Sequence, residues 1–174
     1  FEAPPPRVRR LSIDIEVYTP TKGRIPSPEN AEFPIISIAM CNNDSECVVM
    51  LLKRGGGEDI KKLYEIADGK TRIYIFESER DLIESFFKEI GRYPVIVSFN
   101  GDNFDLPYLY TRSRKLGFQR EEIPVVIKET HATFRHALHI DLYRFFKNRA
   151  IQNYAFEGRY KEYTLDAVAQ ALIG

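Results

Sequence analysis

An α/β domain is what this sequence predicts, on three observations. The stretch Leu11-Ser12-Ile13-Asp14-Ile15-Glu16-Val17 alternates apolar and polar residues, the period of a strand with one buried face. Two further strand-like runs, 34–40 and 46–52, flank the turn-rich Asn42-Asn43-Asp44-Ser45, which predicts an antiparallel meander with the first strand. From residue 78 onward, helical periodicity alternates with short apolar runs, the pattern of helices placed between parallel strands.

Taken in order, residues 1–10 open with Pro4-Pro5-Pro6 and predict an extended lead-in; the starting Phe1 suggests a piece of a longer protein. Residues 18–32, with Pro20, Pro26 and Pro28, predict a loop beside the first strand. Gly55-Gly56-Gly57 breaks the chain, and 59–67 predicts a short helix with Ile60, Leu63, Tyr64 and Ala67 on one side. Gly69-Lys70-Thr71 has the end of a phosphate-binding loop, but Tyr64 stands where that motif needs Gly, so it is excluded. Residues 72–76 predict a strand.

Ser78-Glu79-Arg80-Asp81 predicts a helix start with Ser78 as cap, an apolar stripe of Leu82, Ile83, Phe86, Phe87 and Ile90, and an end at Gly91. Val95-Ile96-Val97 predicts a short buried strand of the parallel kind. A second helix begins at or near Asp105 with Pro107 in its first turn and stops at Gly117. Strand-like runs at 123–127 and 138–143 follow. Residues 147–162 show no clear period, and 164–173 predicts a last helix capped by Thr164.

The 174 residues suit one domain, and no apolar run approaches the roughly 18 residues of a membrane helix. Twenty-five basic residues balance 25 acidic ones, which argues against a sweeping electrostatic grip on duplex DNA. The local clusters Arg7/Arg9/Arg10, Arg112/Arg114/Lys115/Arg120 and Arg144/Lys147/Arg149 read first as solvated faces. Cys41 and Cys47 belong to apolar stretches and are too few for a disulfide framework, which points to a reducing compartment. His131, His136 and His139 lack zinc-site spacing and read as ordinary loop or core histidines.

The chemistry concentrates on acids. Asp14 and Glu16 project side by side from a rigid strand, a placement suited to holding a divalent cation with hard oxygen donors. Asp105 lies where a strand gives way to a helix; it is either a simple helix cap or a further ligand, kept ionised by the helix terminus. Asp141 is a further acid near the edge of that site, but is expected to be a solvated residue at a strand end.

Asp14-Ile15-Glu16 resembles the first exonuclease motif, and Asn100-Gly101-Asp102-Asn103-Phe104-Asp105 the second (Asn-x-x-x-Phe-Asp), of the 3′→5′ proofreading exonuclease domain of family B DNA polymerases, most like the archaeal ones. His139-Ile140-Asp141-Leu142-Tyr143 and Tyr163-Thr164-Leu165-Asp166-Ala167-Val168 resemble the family's intervening segments, so the resemblance covers nearly the whole chain. The family's third motif, Tyr-x-x-x-Asp, is not reached before Gly174. Tyr163 and Asp166 are one residue too close to replace it, and Asp166 is expected on a helix surface.

This resemblance implies a ribonuclease H-like fold, a mixed sheet of about five strands flanked by helices, with residues 11–174 as a C-terminally incomplete exonuclease domain. It implies a DNA-directed DNA polymerase that hydrolyses the 3′-terminal phosphodiester of single-stranded DNA and releases nucleoside monophosphates. Two Mg²⁺ or Mn²⁺ ions would be held by Asp14 bridging both, Glu16 on the water-activating side and Asp105 beside the other. Asn100 and Phe104 would contact the terminal nucleotides, set against the plainer readings of a turn residue and a core aromatic, the two being equally open for Phe104. The partners implied are a DNA 3′ end and the polymerase domain of the same parent chain, in the cytoplasm and away from membranes. Lacking the third motif, the chain alone is expected to be weakly active or inactive; the alternative is a catalytically inactive nuclease-like module that binds single strands.

Overall fold

A computed structural model describes residues 6–21, 23, 25–54 and 71–174. The helix expected at 59–67 and most of the Gly69-Lys70-Thr71 stretch lie outside the described residues. Four strands open the chain: β1 (Arg10–Val17), β2 (Ile35–Asn42), β3 (Cys47–Leu52) and β4 (Thr71–Phe76). Next come helix α1 (Glu79–Ile90), β5 (Val95–Ser98), α2 (Asp105–Lys115), the short strands β6 (Val125–Ile127) and β7 (Ala132–Phe134), and β8 (Leu138–Asp141). A short helix α3 (Leu142–Phe146), a π-helical turn (Ile151–Ala155) and α4 (Leu165–Ile173) complete the described chain.

Among the described residues, six strands, against about five expected, form one mixed sheet in the order β4-β3-β2-β1-β5-β8. β1, β2 and β3 make the expected antiparallel meander, while β4 joins β3, and β5 joins both β1 and β8, in parallel. Strands β6 and β7 form a separate antiparallel hairpin. Its second strand is three residues long, too short for a periodicity to announce it.

Alternation decides which face is covered. Leu11, Ile13, Ile15 and Val17 of β1 are buried with Ile38, Met40, Val48 and Met50 of the meander. Leu82, Ile83, Phe86 and Ile90 of α1 and Leu106 and Leu109 of α2 are fully buried in the same core. At about 1.5–3 kcal/mol for each large side chain withdrawn from water, this layer dominates the stability of the sheet. Ser12, Asp14 and Glu16 therefore remain on the opposite, open face. The caps follow the sequence: Ser78 Oγ accepts the Asp81 N–H, Thr164 Oγ1 accepts the Ala167 N–H, and Gly117, just past α2, takes φ +85°.

Two expectations are corrected here. Cys41 and Cys47, expected to be too few for a disulfide framework and to point to a reducing compartment, form a disulfide. The turn at 42–45 folds β2 onto β3 so that the two residues stand directly opposite, with Cα atoms 4.2 Å apart. Arg112, counted in a solvated basic cluster, instead makes a two-pronged ion pair with the buried Glu79, at 2.8 and 2.7 Å. Glu79 also accepts the Ile35 N–H, and Arg112 donates to the carbonyls of Ala31 and Glu32, which ties the loop ahead of β2 to both long helices.

Candidate active site

The site is built where β1 loses a neighbour. β5 pairs with β1 only from Arg10 to Ser12, and the chain then leaves β5 at Ser98. Past that point the Ile15 N–H finds no strand on this side and donates instead to Asp105 Oδ1, at 3.2 Å. The first residue of α2 is thereby fastened to the strand that carries Asp14 and Glu16.

Asp105 is 4% exposed and sits inside the first turn of α2, with Phe104 in the cap position and no side-chain cap. It is not kept readily ionised as expected of a helix terminus: burial, then the charge of Asp14, push its pKa up to about 7, against the relief given by the Ile15 N–H. The partial charge of a helix end acts over a turn and is worth a fraction of what burial of a carboxylate costs. Asp14 is itself raised by burial, partly offset by the Ile15 N–H. The structure thus brings Asp14 and Asp105 into one electrostatic unit. Glu16 follows two residues on along the same strand face, and no group of three or more His, Cys, Asp or Glu is gathered as a ready-made metal cluster among the described residues.

A groove runs beside Glu16, lined by Ile15, Val17, Thr19, Ile25, Pro26 and Phe104. Phe104 is half-buried, its ring tilted against that of Tyr108 with centroids 5.5 Å apart, so it is both a packing residue and a wall of the groove. Asn100 adopts φ +65°, and its Oδ1 accepts from Asn103 Nδ2 at 2.7 Å. It is a turn residue, with its own amide nitrogen still available as a donor.

Asp141 is a correction. Far from being a solvated strand end, it is 8% exposed and accepts the backbone N–H groups of Asn100 (2.8 Å), Asp102 (3.0 Å) and Tyr143 (2.9 Å). Next to it, Asp102 accepts the Ala132 N–H and the Arg144 guanidinium, each at 2.9 Å. His139 is the core histidine expected, its Nε2 2.8 Å from Ser98 Oγ and its Nδ1 3.0 Å from the Ala132 carbonyl. Facing that carbonyl, Nδ1 is the ring's donor on this side. The one signal in sequence was the Leu138–Asp141 alternation, which puts His139 and Asp141 on one side of β8. Asp166 lies exposed on α4 as expected.

A mixed sheet with acids at the strand next to a parallel switch, flanked by helices, makes this an α/β domain with its acids gathered at a topological switch. The comparisons narrow that class: residues 1–168 match the family model for the DNA polymerase family B exonuclease domain. The whole chain is 54% identical to DNA polymerase 1 of Sulfurisphaera ohwakuensis, 50% to that of Sulfolobus acidocaldarius and 44% to that of Aeropyrum pernix. It spans 19%, 19% and 18% of those relatives' lengths. This chain belongs to the exonuclease domains of family B DNA polymerases, and its described sheet and helices are consistent with their ribonuclease H-like fold.

Proposed function

We propose that the chain is the 3′→5′ proofreading exonuclease part of a DNA polymerase, with residues 11–174 as the domain and 1–10 as its lead-in, removing nucleoside monophosphates from a single-stranded 3′ end. One observation carries this reading: Asp105 is buried beside the charge of Asp14 with only backbone N–H groups to support it, next in sequence to Phe104, which lines the groove beside Glu16. Two acids so placed hold charge that either a proton or a bound cation relieves.

The exonuclease domains of this family are metal-dependent nucleases, and the donor set fits Mg²⁺ or Mn²⁺: hard carboxylate oxygens, with Asp14 raised by burial and Asp105 by burial and by the charge of Asp14. Asp14, Glu16 and Asp105 would hold the two ions. When bound, these supply an activated water and stabilise the leaving 3′ oxygen. The protein's own contribution is placement. The sheet fixes Asp14 and Glu16, and the Ile15 N–H fixes Asp105. Phe104 would pack on a terminal sugar or base in the groove beside Glu16, and the Asn100 amide would donate to it. Frayed, mispaired ends reach such a groove more readily than paired ones. No described helix is long and apolar enough to cross a membrane, and a cytoplasmic location is part of the proposal.

The test is Asp14→Ala in the full-length protein, with degradation of a 5′-labelled single strand and extension of a primed template measured in parallel. Loss of degradation with extension intact is expected. Equal degradation by variant and parent would overturn the reading and leave a nuclease-like binding module.

A further inference from the structure

We infer that Asp141 is a positioning residue of this site: its carboxylate clasps the turn at Asn100 and Asp102, and so sets where Asp105 meets β1. The inference rests on the exonuclease reading above and adds a residue to it.

The turn between β5 and α2 is one the backbone does not adopt unaided. Asn100 takes a left-handed φ, a conformation that costs about 1–3 kcal/mol in the wrong context and that Asn tolerates better than most residues. At Gly101 an added Cβ would lie 2.1 Å from Ser98 Oγ, so no side chain fits. Successive N–H groups of such a turn point inward and form a concavity for an anion. Here the anion is internal: Asp141 Oδ1 takes the Asn100 N–H and Oδ2 the Asp102 N–H.

The turn has no slack to dissipate a shift. The N–H groups of Asn103 and Phe104 donate to the Asn100 carbonyl, and that of Leu106 donates to the Gly101 carbonyl, which leads straight into the first turn of α2. Moving Asn100 and Asp102 therefore moves Asp105. Register supplies the second link, because Asp141 is the β8 partner of Ser98, the last residue of β5 before the turn. Asp141 is not itself positioned as a metal ligand: three of its roughly four lone-pair sites are taken by backbone donors. A carboxylate that only capped α3 would need the Tyr143 N–H alone; the two bonds to the turn are what that role does not explain.

The experiment uses the full-length protein and Mn²⁺ as probe. Free Mn²⁺ is followed by electron paramagnetic resonance, and the sites lost in Asp14→Ala define the exonuclease sites. Asp141→Asn keeps the shape but turns an amide toward backbone donors. It is expected to weaken those sites about tenfold or more, as removal of a ligand's supporting group does, with single-strand degradation restored by excess Mn²⁺ and primer extension unchanged. Asp105→Asn, lacking a ligand oxygen's charge, is expected not to be restored. Unchanged Mn²⁺ affinity in Asp141→Asn, beside loss in Asp14→Ala, would overturn this inference alone. No site lost in Asp14→Ala would overturn the exonuclease reading as well. Where extension or the melting temperature shows Asp141→Asn misfolded, Asp141→Glu decides, since it keeps the charge and moves it by one methylene: a weakened, Mn²⁺-restorable site supports the role and a wild-type site overturns it.

Discussion

Two buried carboxylates, Glu79 under the loop ahead of β2 and Asp105 under β1, have the same solvent and opposite company. Glu79 is 8% exposed and receives both prongs of Arg112 and the Ile35 N–H. Asp105, at 4% exposed, has no cation partner: it receives the Ile15 N–H at 3.2 Å, has its own N–H beside it, and faces the charges of Asp14 and, more weakly, Asp141. Burial is thus common to both, and only the partners differ. An acid paired with a cation holds two helices and a loop together; an acid with backbone donors alone and a second acid beside it is pushed toward its protonated form.

Exchanging the under-partnered acid should have the largest effect. Asp105→Asn in the full-length protein is expected to lower single-strand degradation at least about a thousandfold, about 4 kcal/mol of barrier, while primer extension is unaffected. A loss below tenfold would break the contrast. The same substitution sharpens it through pH. The folded pKa of Asp105, about 7, lies above its reference value of 3.8, so the folded state binds this proton more tightly. Its contribution to stability is then complete below about pH 4 and is lost as pH rises toward 7, on the order of 4 kcal/mol in all. Without added divalent metal, the melting temperature of the parent should fall relative to Asp105→Asn between pH 4 and 8. Parallel melting curves across that range would remove Asp105 as the strained group.

How far the sequence was legible follows the same division between local and distant causes. Asp14 and Glu16 on the open face of β1, the caps at Ser78 and Thr164, and the stop at Gly117 each depend on residues a few positions apart, and each stands where periodicity and capping chemistry place it. Asp141 was misread because its donors lie about 40 residues away in the turn at Asn100 and Asp102. Arg112 looked like part of a basic face because Glu79 is 33 residues distant. The proton on Asp105 is of the same kind: the helix terminus is local and readable, whereas the burial and the neighbouring Asp14 that outweigh it belong to the tertiary structure. The Cys41–Cys47 disulfide needed the register of β2 on β3, which the apolar pattern alone does not specify.

Removing the partner of the satisfied acid should cost less than the activity lost at Asp105, but it should cost stability instead. Arg112→Ala leaves Glu79 buried without its cation and is expected to destabilise the protein by about 3 kcal/mol in urea unfolding, with little change in degradation measured well below the transition. Replacing Glu79 and Arg112 together by Met should recover most of that loss, since no charge is then stranded. A double variant as weak as the single one would show that the pair itself, rather than the uncompensated charge, supplies the stability.

The smallest effect belongs at the far end of the described chain, where neither acid acts. Thr164 Oγ1 accepts the Ala167 N–H at 3.2 Å and is exposed, so Thr164→Ala removes one cap from α4 and leaves the core untouched. About 1 kcal/mol is expected, confined to faster hydrogen exchange at the first amides of that helix. Exchange accelerated equally at Ile15 or Asn100 would mean that α4 supports the acid-bearing strand and turn. The separation between a locally capped helix and a tertiary site would then fail, because Leu165, the residue after the cap, shares a groove with Ser12 and Asp14.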